Sequence, residues 1–168
     1  DRAGRDEGCP ARQLSANPGP DLQPPGRTVR TAKGDILTVK DVLRRYFDAF
    51  NAGDIEAMLN EVHDEIAHHV NEGTVRMGKP AFRDFCLHMA RCYRESLTEM
   101  VIFEAEGGTR AAAEFMVNGT YLETDEGLPE AHGQSYRLPG GSFMTLRDGK
   151  ISRITTYYNL ADWIRQVS

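Results

Sequence analysis

Residues 38–58 read TVKDVLRRYFDAFNAGDIEAM, and the fold of the chain turns on them. Val39, Val42, Leu43, Tyr46, Phe47 and Phe50 recur at helical spacing, so one face of a helix here must be buried against something. Thr38 with Asp41 three residues on has the pattern of a capping box. Gly53 can adopt the left-handed backbone that ends a helix, and Asp54 can accept from the free N–H groups that start a second one. The apolar stripe carries one phenol, Tyr46. The later part of the chain is mostly strand, so this helix is expected to lie over a sheet as its lid.

Downstream, the second helix runs from Asp54 to about Glu61 and presents Ile55, Met58, Leu59 and Val62 on one side. Ile66, His68 and Val70 then alternate with Ala67, His69 and Asn71, a short strand closed by Gly73. A third helix is expected from about Pro80 to Glu95, with Phe82, Phe85, Cys86, Met89 and Tyr93 as its apolar face. Two hairpins come next. Residues 97–106 and 110–122 flank Gly107-Gly108, and residues 135–147 and 150–158 flank Asp148-Gly149. An acidic connection over residues 123–132 joins them, and residues 159–167 make a closing helix pinned by Trp163 and Ile164.

Helices first and antiparallel strands afterwards describe an α+β domain: one strongly curved antiparallel sheet with helices filling its concave side. Ala111, Ala113, Phe115, Val117 and Tyr121 have the parity that faces this cone. Glu114, Met116 and Asn118 have the opposite one, and with Tyr157 they offer a convex face for a homodimer.

The chain has 168 residues, 40% of them hydrophobic, enough for a single core. A net charge of -5 without a basic stripe argues against nucleic-acid binding. Apolar runs are too short to span a membrane, and no signal-peptide core is present, so a cytoplasmic protein is expected. Residues 1–33 are dense in Pro, Gly and charge and are expected to be a disordered tail preceding one domain over 34–168. Cys9, Cys86 and Cys92 are an odd count and are read as free thiols.

Four segments carry a family resemblance: RYFDAFNAGDIEAM, HDEIAHHVNEG, GKPAFRDF and LRDGKISRITTYYNLADWI. Together they make residues 38–167 resemble the NTF2-like superfamily, specifically its ketosteroid isomerase-related and SnoaL-like members. The resemblance implies the NTF2-like cone. It places on Tyr46 the tyrosine that donates to a developing enolate oxygen, and near Ser142 the second donor of that oxyanion site. The general-base aspartate of the isomerases falls on Val70, which cannot take a proton. The acidic residue of the polyketide-cyclase branch falls on Asn159.

His68 shares strand parity with Ile66 and Val70, points into the cone, and as a neutral imidazole can act as base at physiological pH. A hydrogen-bonded pocket wall is the other reading of that residue. Phe50, Phe85, Met89, Phe115, Met144, Tyr158 and Asn159 are the expected ligand contacts. No metal centre and no cofactor are expected: glycine-rich phosphate loops, zinc motifs and a Ser-His-Asp order are absent from the sequence. Two function classes remain. One is a cofactor-free isomerase or cyclase that moves a proton next to a carbonyl of a hydrophobic, steroid- or polyketide-like molecule. The other is a non-catalytic binding or accessory protein using the same pocket.

Overall fold

A computed structural model describes residues 38–71 and 73–168; the expected tail over 1–33, and Cys9 with it, lie outside the described residues. Helix α1 spans Val39–Ala52 and begins with the capping box, the Thr38 hydroxyl accepting from the Asp41 N–H while Asp41 accepts from the Thr38 N–H. Gly53 ends it at φ 70°, a conformation that glycine adopts without a Cβ penalty. Helix α2, Ile55–Glu61, is capped by Asp54. Strand β1, Val62–Val70, comes directly after it, then the two-residue strand β2, Arg76–Met77.

Helix α3 spans Lys79–Cys92, and strands β3, Tyr93–Glu104, β4, Arg110–Tyr121, β5, Ser135–Arg147, and β6, Lys150–Tyr158, succeed it. Helix α4, Leu160–Val167, closes the described chain. The six strands form one sheet in the order β2-β1-β6-β5-β4-β3, antiparallel except where β1 runs parallel to β6. The α+β expectation and its cone-shaped sheet hold. Three details differ. The third helix stops at Cys92 rather than Glu95, so Tyr93 and Glu95 are strand residues; the first strand starts at Val62 rather than Ile66; and β2, only two residues long, is too short to leave a periodic signal.

The sheet curves because its strands are interrupted at defined places. A bulge between Thr98 and Val101 puts Glu99 at φ 54°, and a second irregularity lies between Thr145 and Leu146. On the concave side the α1 stripe Val39, Val42, Leu43, Tyr46 and Phe47 is buried, with Phe50 half-buried at its end. Each such large apolar side chain contributes about 1.5–3 kcal/mol on full burial. The Asn51 side chain fixes the far end of α1 by bonding both the N–H (2.7 Å) and the carbonyl (3.0 Å) of Leu97 on β3.

The concave parity of β4 is the expected one, Ala111, Ala113 and Phe115 being buried. A second cluster, Cys92, Tyr93, Tyr121, Tyr136, Leu138, Trp163 and Val167, closes the opposite end of the sheet. Trp163 sits edge-on to Tyr121 at 5.1 Å and to Tyr136 at 5.8 Å, which pins α4 as anticipated.

Candidate active site

His68 is placed by β1 on the concave side, 3% exposed, with the Phe82 and Phe85 rings of α3 4.9 Å and 4.6 Å from its own. Its Nδ1 is buried with no hydrogen-bond partner among the described residues. Loss of hydration in this apolar place, reinforced by the charges of Arg76 and His69, pushes the imidazole pKa down to about 4. The ring is therefore neutral at pH 7. Arg76 faces His68 across the β1–β2 pair, and its guanidinium stacks on Phe85 at 4.5 Å from the ring centre. His69, on the opposite parity, is half-buried and shares a 2.5 Å hydrogen bond with the Thr155 hydroxyl.

Tyr46 lies on α1 against Phe47, ring centres 5.3 Å apart. Burial first, and the nearby Cys86 second, hold its phenol far above the usual range, so it stays protonated and can only act as a neutral hydrogen-bonding group. Burial likewise pushes the Cys86 thiol up to about 11. Helix α3 thus touches both candidates, through Phe82 and Phe85 on His68 and through Cys86 beside Tyr46.

Ser142 on β5 is 2% exposed and shares a 2.7 Å hydrogen bond with Thr156 of β6. The register runs Val70, Thr156, Ser142, Ala113 in one row and His68, Ile154, Met144, Ala111 in the next. With about 4.8 Å between strands, the Ser142 backbone stands about 10 Å from β1, so its hydroxyl does not bond His68 directly.

Of the expected ligand contacts, Phe50, Phe85, Met89 and Tyr158 are half-buried, whereas Phe115 and Met144 are fully buried core residues. The Phe115 ring lies over Gly140, where an added Cβ would approach it to 2.9 Å. Asn159 is exposed, and its side-chain oxygen accepts from the Asp162 N–H at 3.0 Å as the N-cap of α4. The two best-formed hollows among the described residues are open depressions. One, about 560 Å³, is lined by rim residues such as Asp64 and Arg147; the other, about 360 Å³, is lined by Arg76, Ala81, Asp84, Phe85 and His88. The second shares Phe85 with the surroundings of His68.

A polar group at the other end of the concave face is absent from the sequence reading. Tyr136 donates to Glu95 at 2.5 Å, and burial holds the Glu95 carboxyl above its ordinary range despite that bond. Tyr93 donates to Asp125 at 2.8 Å, and His88 Nε2 meets the other carboxylate oxygen of Asp125 at 2.9 Å. Burial raises the Tyr158 phenol first, then the charges of Glu95 and Asp125. Helical spacing that continues past Cys92 hides Glu95. Its signal is the alternation Tyr93, Glu95, Leu97, which is strand parity. Asp125 lies in the β4–β5 connection, where no periodicity fixes direction.

The family profile of the SnoaL-like domain matches residues 43–154. Among solved structures, a proposed polyketide cyclase from Silicibacter sp. is 63% identical, covering 78% of this chain and 96% of its own, with a TM-score of 0.76. A proposed polyketide cyclase from Pseudomonas putida is 48% identical, covering 79% and 99%, with a TM-score of 0.77. A phenazine biosynthesis-related protein from Pseudomonas aeruginosa shares the fold at 17% identity, covering 76% and 79%, with a TM-score of 0.65. No curated protein matches the chain. The matched span and these neighbours establish that the chain belongs to the SnoaL-like domain family of the NTF2-like superfamily.

Proposed function

We propose that this protein is an isomerase- or cyclase-type enzyme that moves a proton next to a carbonyl of a hydrophobic, polyketide- or steroid-like molecule, with His68 as the base. The observation that carries this reading is the buried His68 Nδ1 without a partner. An unsatisfied buried polar atom costs about 1–3 kcal/mol, and a substrate proton is the missing counterpart. His68 takes the proton from the carbon beside the carbonyl, and the electron pair moves onto the carbonyl oxygen. Tyr46 and Ser142, the latter backed by Thr156, donate to that oxygen. The imidazolium then returns its proton, either to a neighbouring carbon or to the alkoxide formed when the enolate carbon attacks a second carbonyl. Proton transfer of this kind needs no cofactor. Phe85 must swing aside to admit substrate from the depression beside Arg76, while Phe50, Met89, Phe115, Met144, Tyr158 and Asn159 complete the apolar enclosure and its rim.

A ligand screen by thermal shift, then turnover of the best hit, tests the proposal. His68→Ala should remove turnover; Tyr46→Phe should lower it about 100-fold with affinity nearly kept, as for other oxyanion donors. Turnover unchanged in His68→Ala overturns the assignment. The near-complete burial of His68 and Ser142 favours the alternative of a binding protein. That reading gives no turnover in any variant, and affinity that responds to Phe115→Ala more than to either polar change.

The convex face supports a homodimer. Phe103, Phe143 and Tyr157 are about half exposed there, Phe143 and Tyr157 pack at 6.0 Å, and Glu114, Met116 and Asn118 border them. Light scattering after size exclusion should give twice the chain mass, and a monomer refutes it. The free thiols Cys86 and Cys92 fit a reducing cytoplasm, and no helix of the described residues is long and apolar enough to cross a membrane.

A further inference from the structure

His88 and Cys92 stand one turn apart on α3, and Asp125 descends onto them from the β4–β5 connection, so that one donor atom of each lies within 4.8 Å of the others. The Cys92 sulfur is buried, with His88 Nε2 3.8 Å away; the same nitrogen lies 2.9 Å from Asp125 Oδ1. Nε2 therefore faces a thiol and a carboxylate at once, and a single hydrogen on it can serve only one of them.

We propose that His88, Cys92 and Asp125 bind a zinc ion that clamps the connection between β4 and β5 onto the end of α3. Ideal bonds of about 2.3 Å to sulfur and about 2.0–2.2 Å to nitrogen and oxygen, at tetrahedral angles, separate sulfur from nitrogen by about 3.6 Å and nitrogen from oxygen by about 3.4 Å. The sulfur–nitrogen separation of 3.8 Å has to close by about 0.2 Å and the nitrogen–oxygen separation of 2.9 Å to open by about 0.5 Å, while sulfur and the carboxylate oxygen, within 4.8 Å of each other, settle toward about 3.6 Å. A thiolate, a carboxylate and a neutral imidazole balance the double charge of the ion, which suits a half-buried place.

The surroundings already hold the ligands in position. Tyr93 donates to Asp125 Oδ2 at 2.8 Å, leaving Oδ1 turned toward His88, and the Glu126 N–H donates to Oδ1 at 2.9 Å. The Asp125 N–H donates to the Tyr121 hydroxyl at 2.8 Å. Arg91 approaches His88 Nδ1 at 3.4 Å; with the ion on Nε2 that ring nitrogen carries the hydrogen, and Arg91 turns to Glu123, already 3.4 Å away. The depression lined by Arg76, Asp84 and Phe85 reaches His88, which leaves the fourth position to water.

The test uses the full chain carrying Cys9→Ser, so that this thiol does not compete. Metal is removed with a chelator and cobalt(II) is titrated in, and zinc is then added in competition with a chromophoric chelator. One cobalt per chain with a thiolate-to-cobalt charge-transfer band is expected, displaced by zinc and raising the melting temperature. Cys92→Ser should lose the band, and Asp125→Asn should weaken zinc by about 100-fold or more, beyond what a supporting residue costs. Tyr93→Phe should weaken it by about 10-fold, and Cys86→Ser should leave it unchanged. A cobalt spectrum without the thiolate band, or zinc affinity equal in the parent, Cys92→Ser and Asp125→Asn, shows metal held only at surface histidines and overturns the proposal. Asp125→Asn changes one atom in a loop, so the answer stands even if Cys92→Ser fails to fold.

Discussion

Replacing His68 by Leu separates what the imidazole costs the fold from what it gives. In the folded chain its pKa is near 4, against 6.5 for the free side chain. The unfolded chain therefore takes up a proton first as pH falls, and the stability that neutral His68 confers is complete above 6.5 and lost on the way down to 4. With these two values the loss relative to pH 7.5 is about 2 kcal/mol at pH 5 and about 3 kcal/mol at pH 4. His68→Leu keeps an apolar side chain against Phe82 and Phe85 and does not titrate. It also removes the orphaned Nδ1, whose burial costs about 1–3 kcal/mol, so at pH 7.5 the variant should be at least as stable as the parent. The assay is urea unfolding of both proteins at pH 7.5, 6, 5 and 4 at one protein concentration, with stability extrapolated to water. The difference should widen by about 3 kcal/mol in favour of Leu across the series. Curves that stay parallel within about 0.5 kcal/mol would show that His68 protonates freely in the fold and would remove the neutral buried base from the mechanism.

Because the resemblance to the isomerases sets their base on Val70, a 5-ene-3-ketosteroid should be turned over about 10² to 10⁴ times more slowly than by an enzyme with that base, measured by absorbance of the conjugated product; Val70→Asp should gain rate. Gly119→Ala would bring a Cβ to 2.1 Å from the Tyr136 ring, so urea unfolding should show a loss of about 1–3 kcal/mol together with a disturbed Tyr136–Glu95 pair. Glu95 holds its proton more tightly when folded, so its contribution is present at low pH and lost as pH rises above the ordinary carboxylate range; Glu95→Gln should flatten that part of the stability profile.

Much of this architecture can be read from the chain because local signals and tertiary demands agree there. The α1 stripe, its Thr38 and Gly53 ends, and the hairpin with Asp148-Gly149 at its turn are each specified by residues with no competing use. The α3–β3 junction differs. Met89 and Tyr93 keep helical spacing past the end of the helix, no Gly or Pro punctuates Cys92-Tyr93, and the backbone changes type within one residue. Spacing alone consequently makes Glu95 a helix end rather than a carboxyl inside the cone. The inward direction of His68 comes from parity alone, whereas its missing partner is a fact of packing by Phe82 and Phe85 that periodicity does not encode.

The two polar centres cannot both act on one small bond. Along β5 the row that holds Met144, level with His68, is eight residues from Tyr136, about 26 Å of extended strand before curvature shortens it. The Phe115 ring lies over Gly140 and the Tyr136 ring over Gly119, where an added Cβ would come to within 2.9 Å and 2.1 Å of them. Both rings are buried, Phe115 against Phe47 of α1 and Tyr136 against Trp163 of α4. In the proposed mechanism the chemistry belongs to the His68 end. The Glu95–Tyr136 end, its carboxyl raised by burial, has no part in that proton transfer. Glu95→Gln should therefore leave turnover unchanged where His68→Ala removes it, and turnover lost equally in both would refute the separation of the two ends.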